Sequence, residues 1–173
     1  VSEAFRGEFA QKVDAKARVS IPAAFRRVIE TQDPGFDGKK SRFVIVYGGD
    51  GRAFCECYTL QGMKRLEARI ARMPVGDKRR IYLTRNMIRL SLEAEIDIDG
   101  RIVLPPQARR KIGLTAIDDG AEAMFAGDLD KFQIWSRPAY DADLAAQAAV
   151  ASDILGEGED MLSLLPPDPE EGD

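Results

Sequence analysis

A fourteen-residue stretch occurs twice in this chain, and no fold that ignores the duplication can be right. Asp14 to Arg27 reads Asp-Ala-Lys-Ala-Arg-Val-Ser-Ile-Pro-Ala-Ala-Phe-Arg-Arg. Eighty-three residues later, Asp97 to Arg110 reads Asp-Ile-Asp-Gly-Arg-Ile-Val-Leu-Pro-Pro-Gln-Ala-Arg-Arg. Without a gap, Asp14 falls on Asp97, Arg18 on Arg101, Pro22 on Pro105, and Arg26 and Arg27 on Arg109 and Arg110. Val13, Val19 and Ile21 fall on Ile96, Ile102 and Leu104. The spacing predicts two copies of one small β-rich unit, each presenting arginines to an anionic partner.

Local signals order each copy in the same way. A strand over 9–13 turns at 14–17, continues over 18–21 and stops at Pro22, which has no N–H to donate to a ladder. A short helix follows over 23–30, then a loop and a hairpin of strands over 43–47 and 53–58. The second copy repeats this with strands over 93–98 and 101–104, a helix over 106–112 closed by Gly113, and a hairpin over 121–125 and 132–136. Gly127, Asp128 and Phe132 match Gly49, Asp50 and Phe54 at a spacing of 78. That assigns about five extra residues to the 31–42 loop of the first copy. Between the copies, Thr59 is placed to cap a helix over 60–73, and a second, basic helix spans about 77–89. A last helix runs from Pro138 to about 155. Residues 1–4 read as a leader, and the acidic, proline-containing end from Gly156 reads as disordered.

Charge is divided unevenly. Residues 1–113 carry 23 Lys and Arg against 14 Asp and Glu, whereas residues 114–173 carry 2 against 15, so the net charge of −4 conceals a basic body and an acidic appendage. The chain lacks histidine, the commonest general base and metal ligand. Cys55 and Cys57 would point to one face of a strand as apolar filling, too few for a four-ligand zinc site. No catalytic set, phosphate loop or cofactor motif is present, so an enzyme and a cofactor are not expected. No apolar run is long enough to cross a membrane, and the expected location is cytoplasmic.

The residues Asp14, Arg18-Val19-Ser20-Ile21-Pro22 and Arg26-Arg27 resemble the AbrB-like DNA-binding fold. Two copies in one chain, opened by Phe5-Arg6-Gly7-Glu8-Phe9, make the chain similar to the MraZ family over most of residues 5–150. The resemblance implies an α+β fold: tandem AbrB-like swapped-hairpin β-barrel repeats forming one pseudo-symmetric unit, with flanking helices. The corresponding division is repeat one at 8–61, linking helices at 62–90, repeat two at 91–139, a C-terminal helix at 140–155 and an acidic tail at 156–173. It also implies a homo-oligomeric ring that binds repeated sites on double-stranded DNA, associates with the nucleoid, and represses its own cell-division and cell-wall gene cluster. Family members usually carry glycine before the first motif arginine, as at Gly100. Here Ala17 stands in that place, and if the site needs a positive φ, the first turn should differ in shape.

The candidate DNA-binding residues are Arg18, Lys16, Arg101, Arg26, Arg27, Arg109 and Arg110, because a guanidinium forks onto phosphate or guanine through two parallel hydrogen bonds. Asp14 and Asp97 would repel phosphate and are expected to organise the turns. Lys16 has no basic counterpart in the second copy, which makes the first copy the stronger binder. The competing reading is an oligomeric protein-interaction scaffold in which the arginines hold subunits together. The arginines over 77–89 suit a solvated face or a subunit contact.

Overall fold

In the computed structural model, which describes residues 3–118 and 120–169, the sequence repeat becomes a repeat of elements. The first copy supplies β1 (Glu8–Lys12), β2 (Arg18–Ser20), α1 (Ala23–Thr31), β3 (Ser41–Val46) and β4 (Cys55–Thr59). The linking segment holds α2 (Leu60–Ala71) and α3 (Lys78–Leu83), the latter running into a π-helical turn over Thr84–Arg89. The second copy supplies β5 (Ser91–Ile96), β6 (Arg101–Val103), α4 (Pro106–Ile112), β7 (Glu122–Asp128) and β8 (Lys131–Ser136), followed by α5 (Arg137–Ile154). The chain divides into two compact units, residues 1–139 and 140–173.

Within the first unit the two copies are interleaved. The larger sheet is antiparallel and open, in the order β1-β7-β8-β4-β3-β5, and β2 pairs with β6 in a separate two-stranded ribbon. Exchanging the copies reads this order backwards unchanged. The first strand of each copy lies beside the third strand of the other, with Phe9 opposite Phe125 and Phe43 opposite Ala94. The fourth strands meet at the centre, Cys57 opposite Phe132. The sheet edges, β1 and β5, turn charged Glu8, Lys12, Glu93 and Glu95 outward, which discourages pairing with further strands.

Register corrects the spacing of the later strands. Val13 donates its N–H to the Ala121 carbonyl, while Ser41 lies opposite Ile96, so the third strands correspond at 80 rather than 78. Ile45 opposes Cys57 and Phe125 opposes Ile134, so the fourth strands correspond at 77. The additional residues of the first copy are shared between the α1–β3 loop and the β3–β4 turn. The Gly-Asp-Phe similarity is therefore not a structural equivalence; Phe132 takes the place of Cys55.

The core lies between the sheet and the two short helices. Phe25 from α1 packs edge-on against Phe5 at 5.3 Å and is tilted against Phe132 at 5.0 Å; Phe43 and Phe125 complete the cluster. Such pairs add about 0.5–1.5 kcal/mol beyond the area they bury. Phe5, adjacent to the expected leader, is itself core: it is 3% exposed and its N–H is held by the Leu129 carbonyl. Cys55 and Cys57 are buried in the same cluster, and burial pushes the Cys55 thiol up to about 12. Thr59 caps α2 by accepting the Gly62 N–H at 3.0 Å, and Gly113 closes α4 at φ 79°. The basic helix expected over 77–89 is shorter, changing to π geometry at Thr84. Its Asn86 side chain reaches out to accept the Gly49 N–H.

In the second unit, α5 continues to Ile154, and the end read as disordered carries a 3-10 turn at Met161–Leu164. Val1, Ser2 and residues 170–173 of the expected leader and tail lie outside the described residues. Among the described residues, no helix is long and apolar enough to cross a membrane.

Candidate nucleic-acid interface

Each turn is organised by its aspartate. One Asp14 carboxylate oxygen accepts the N–H groups of Lys16 and Arg18, both at 2.9 Å; one Asp97 oxygen accepts those of Asp99 at 2.9 Å and Arg101 at 3.0 Å. The backbone closes behind them in matching fashion, Asp14 N–H to the Arg18 carbonyl and Asp97 N–H to the Arg101 carbonyl. The Arg18 N–H holds the Asp14 carboxyl below its ordinary value; burial opposes this, while the Arg18 side chain and the Lys16 N–H reinforce it.

The two turns have one shape. Ala17 lies at φ 62° and Gly100 at φ 78°, so the alanine adopts the left-handed conformation of the glycine rather than changing the turn. The cause is tertiary. The Ala17 carbonyl accepts the Leu104 N–H at 2.8 Å and the Gly100 carbonyl accepts the Ile21 N–H at 2.9 Å. Each turn is tied to the end of the other copy's ribbon strand, and releasing the dihedral would release that bond.

The ribbon between these turns decides where the arginines go. Arg18 lies opposite Val103 and Arg101 opposite Ser20, with Val19 opposite Ile102 between them. Side chains two apart on a strand share a face. Val19 and Ile102 are buried, so Arg18, Ser20, Arg101 and Val103 form the opposite, accessible face. The arginines are diagonal neighbours, about 7–8 Å apart at the backbone. Ser20 and Val103 were not singled out from the sequence, although the period of two from each motif arginine selects them.

The helices behind the ribbon place the remaining candidates. Arg26 of α1 reaches across to the other copy's turn: a Cβ added to Gly100 would lie 2.4 Å from its terminal nitrogen and 2.7 Å from Cζ. The Nε atoms of Arg26, Arg101 and Arg109 are buried without a hydrogen-bond partner. Arg27 and Arg110 are exposed on their helices, and Arg109, Arg110, Pro106 and Thr115 border a shallow recess of about 230 Å³. Lys16 is exposed at the tip of the first turn.

The copies differ at the ribbon's tips. Arg18 donates through Nε to Asp14 at 2.7 Å, which fixes its stem. Arg101 instead contacts Asp99, the residue in the place of Lys16, at 3.4 Å, beside an exposed Ile98. Lys111 of α4 donates to the Gly49 carbonyl at 2.6 Å, joining the arginine-bearing helix to the β3–β4 turn that Asn86 also holds. Such long-range contacts leave no mark in local sequence.

The family model described as "MraZ protein, putative antitoxin-like" matches residues 87–154. Curated relatives extend the similarity over nearly the whole chain. Two proteins from strains of Cereibacter sphaeroides, each named "Transcriptional regulator MraZ", are 59% and 58% identical over 167 residues, covering 95% of this chain and 97% of theirs. A protein of the same name from Ruegeria sp. (strain TM1040) is 43% identical over 162 residues, 93% of this chain and 94% of its own. With the doubled Asp-x-x-x-Arg turn and the interleaved copies behind it, the chain belongs to the MraZ family.

Proposed function

We propose that this chain is a sequence-specific DNA-binding transcriptional regulator, a repressor of its own cell-division and cell-wall gene cluster, and not an enzyme. The observation carrying this reading is the β2–β6 ribbon, whose accessible face holds Arg18 and Arg101 over turns locked by Asp14 and Asp97. A two-stranded ribbon fits the major groove of B-DNA, where arginine reads guanine O6 and N7. Arg26, Arg27, Arg109 and Arg110 of the two short helices take phosphate in this reading, and Lys16 adds a charge at one tip. The names of the relatives support the regulatory role.

The interleaving of β1 and β2 with the second copy, and of β5 and β6 with the first, supports the AbrB-like swapped-hairpin reading of the two repeats. We read the working form as a ring of several chains in the cytoplasm, associated with the nucleoid. In a ring, each contact after the first is intramolecular, so repeated operators multiply a weak single contact. That would let a chain of net charge −4 hold DNA.

The test is binding to DNA upstream of the gene as a function of salt. Each neutralised phosphate contributes about −0.9 to the log–log slope, so a steep slope and protection of repeated sites are expected. A flat response, or absence of binding to those sites, would leave the scaffold reading in its place.

A further inference from the structure

The linking segment is built as though something covers it. No residue of α3 is buried, although a six-residue helix has little stability by itself. Val75, Ile81, Tyr82 and Ile88 around it are exposed, Val75 to 88%. Beside them Leu66, Ile70, Met73, Leu83 and Met87, with Arg69, border a groove of about 320 Å³. The surrounding charge is one-sided: residues 60–90 hold nine Lys and Arg against Glu67 and Asp77.

A second uncovered apolar segment has the opposite charge. Met161, Leu162, Leu164 and Leu165 are each at least half exposed, on and just after a 3-10 turn with no buried residue. In a 3-10 turn residues three apart align, so Met161 stands with Leu164 and Leu162 with Leu165, and short helical segments with such paired anchors seat in apolar grooves. Glu157, Glu159, Asp160 and Asp168 flank them, and residues 153–169 contain no Lys or Arg.

We propose that the tail segment 157–168 of one chain docks on the α2–α3 groove of a second copy, its leucines in the groove and its carboxylates on the surrounding arginines. Charge complementarity selects this occupant. Arg69 borders the groove and the linking segment around it has a net charge of +7, nine Lys and Arg against two acids, which disfavours a second groove as occupant; the tail is an apolar segment of this chain with matching acidity. The contact covers the apolar faces of both partners and offsets four of the seven net positive charges of the linking segment, leaving the ribbon as a cationic surface open to DNA. The inference rests on self-association, which is part of the proposed function.

The experiment places a photo-activated benzophenone side chain at Ser163 of the full chain, leaving the four apolar anchors intact. Expected are covalent dimers on a denaturing gel, with the attached peptide mapping to residues 60–90. Their yield should fall as salt is raised from about 0.1 to 1 M, where the Debye length shrinks to about 3 Å. Attachment only within one chain, attachment outside 60–90, or no attachment would each overturn the proposal. Native mass measured on the same sample separates the two readings. An oligomer without the crosslink refutes the tail contact alone; a monomer refutes the assembly as well.

Discussion

Substituting Gly100→Ala tests the link between the two turns. The backbone there is at φ 78°, where an L side chain is strained, and Ala17 shows that the same turn can nevertheless form with alanine. The dihedral should cost about 1 kcal/mol, after allowance for the lower entropy of the unfolded chain. The new Cβ would also stand 2.4 Å from the Arg26 terminal nitrogen. Because that atom ends a flexible side chain, Arg26 should swing off the turn rather than the backbone shift. Loss of its packing brings the total to about 1–2 kcal/mol, or about 3–7 °C in melting temperature for a unit of this size. The displaced guanidinium should weaken DNA binding as well. The reverse change, Ala17→Gly, relieves strain but loses a buried methyl of about 0.8 kcal/mol, and should be near neutral. Urea denaturation of a double-mutant cycle isolates the contact: in an Arg26→Ala background, Gly100→Ala should cost only its dihedral share. An equal cost in both backgrounds would refute the contact between Arg26 and the opposite turn.

Three further outcomes are expected. Arg18→Ala should abolish binding to the upstream DNA at moderate salt and relax discrimination between the operator and unrelated DNA, with native mass unchanged; a shift to monomer would make Arg18 a subunit contact. Asp33 is buried, which raises its carboxyl, but the Arg42 side chain and the Gly35 and Arg42 N–H groups lower it further, to below the ordinary 3.8. Its contribution is therefore complete above pH 3.8 and is lost as pH falls through the lower folded value; Asp33→Asn should remove the matching part of the acid-induced fall in urea midpoint. With Cys55 and Cys57 buried and their thiols pushed up, iodoacetamide at pH 8 should label the native chain far more slowly than the urea-unfolded chain, and equal rates would contradict their burial.

The parts of the fold legible in sequence are those whose cause is local. An aspartate accepting N–H groups two and four residues on is a short-range pattern, so the turns at Asp14 and Asp97 could be read directly. The stops at Pro22 and Gly113 and the Thr59 cap are of the same kind. Alternation along β2 and β6 fixes which residues of each strand share a face with its arginine, but not that Arg18 and Arg101 would share a surface.

Partnership was not legible, because a period of two specifies a face but not the strand that lies beside it. Tertiary structure alone decided that β1 pairs with β7 and β5 with β3, and that the extra residues of the first copy are shared between two loops. It also carried Arg26 over the turn of the opposite copy. Ala17 shows the division within one residue. Its identity argued for a differently shaped turn; its carbonyl, held by the Leu104 N–H of the other repeat, keeps it at φ 62°. Sequence alone determined that there are two copies of an arginine-bearing turn, since that depends on residues close in the chain. Only the tertiary structure joined them into one surface, because the hydrogen bonds that tie each turn to the other copy's ribbon strand run between residues about eighty apart in the chain.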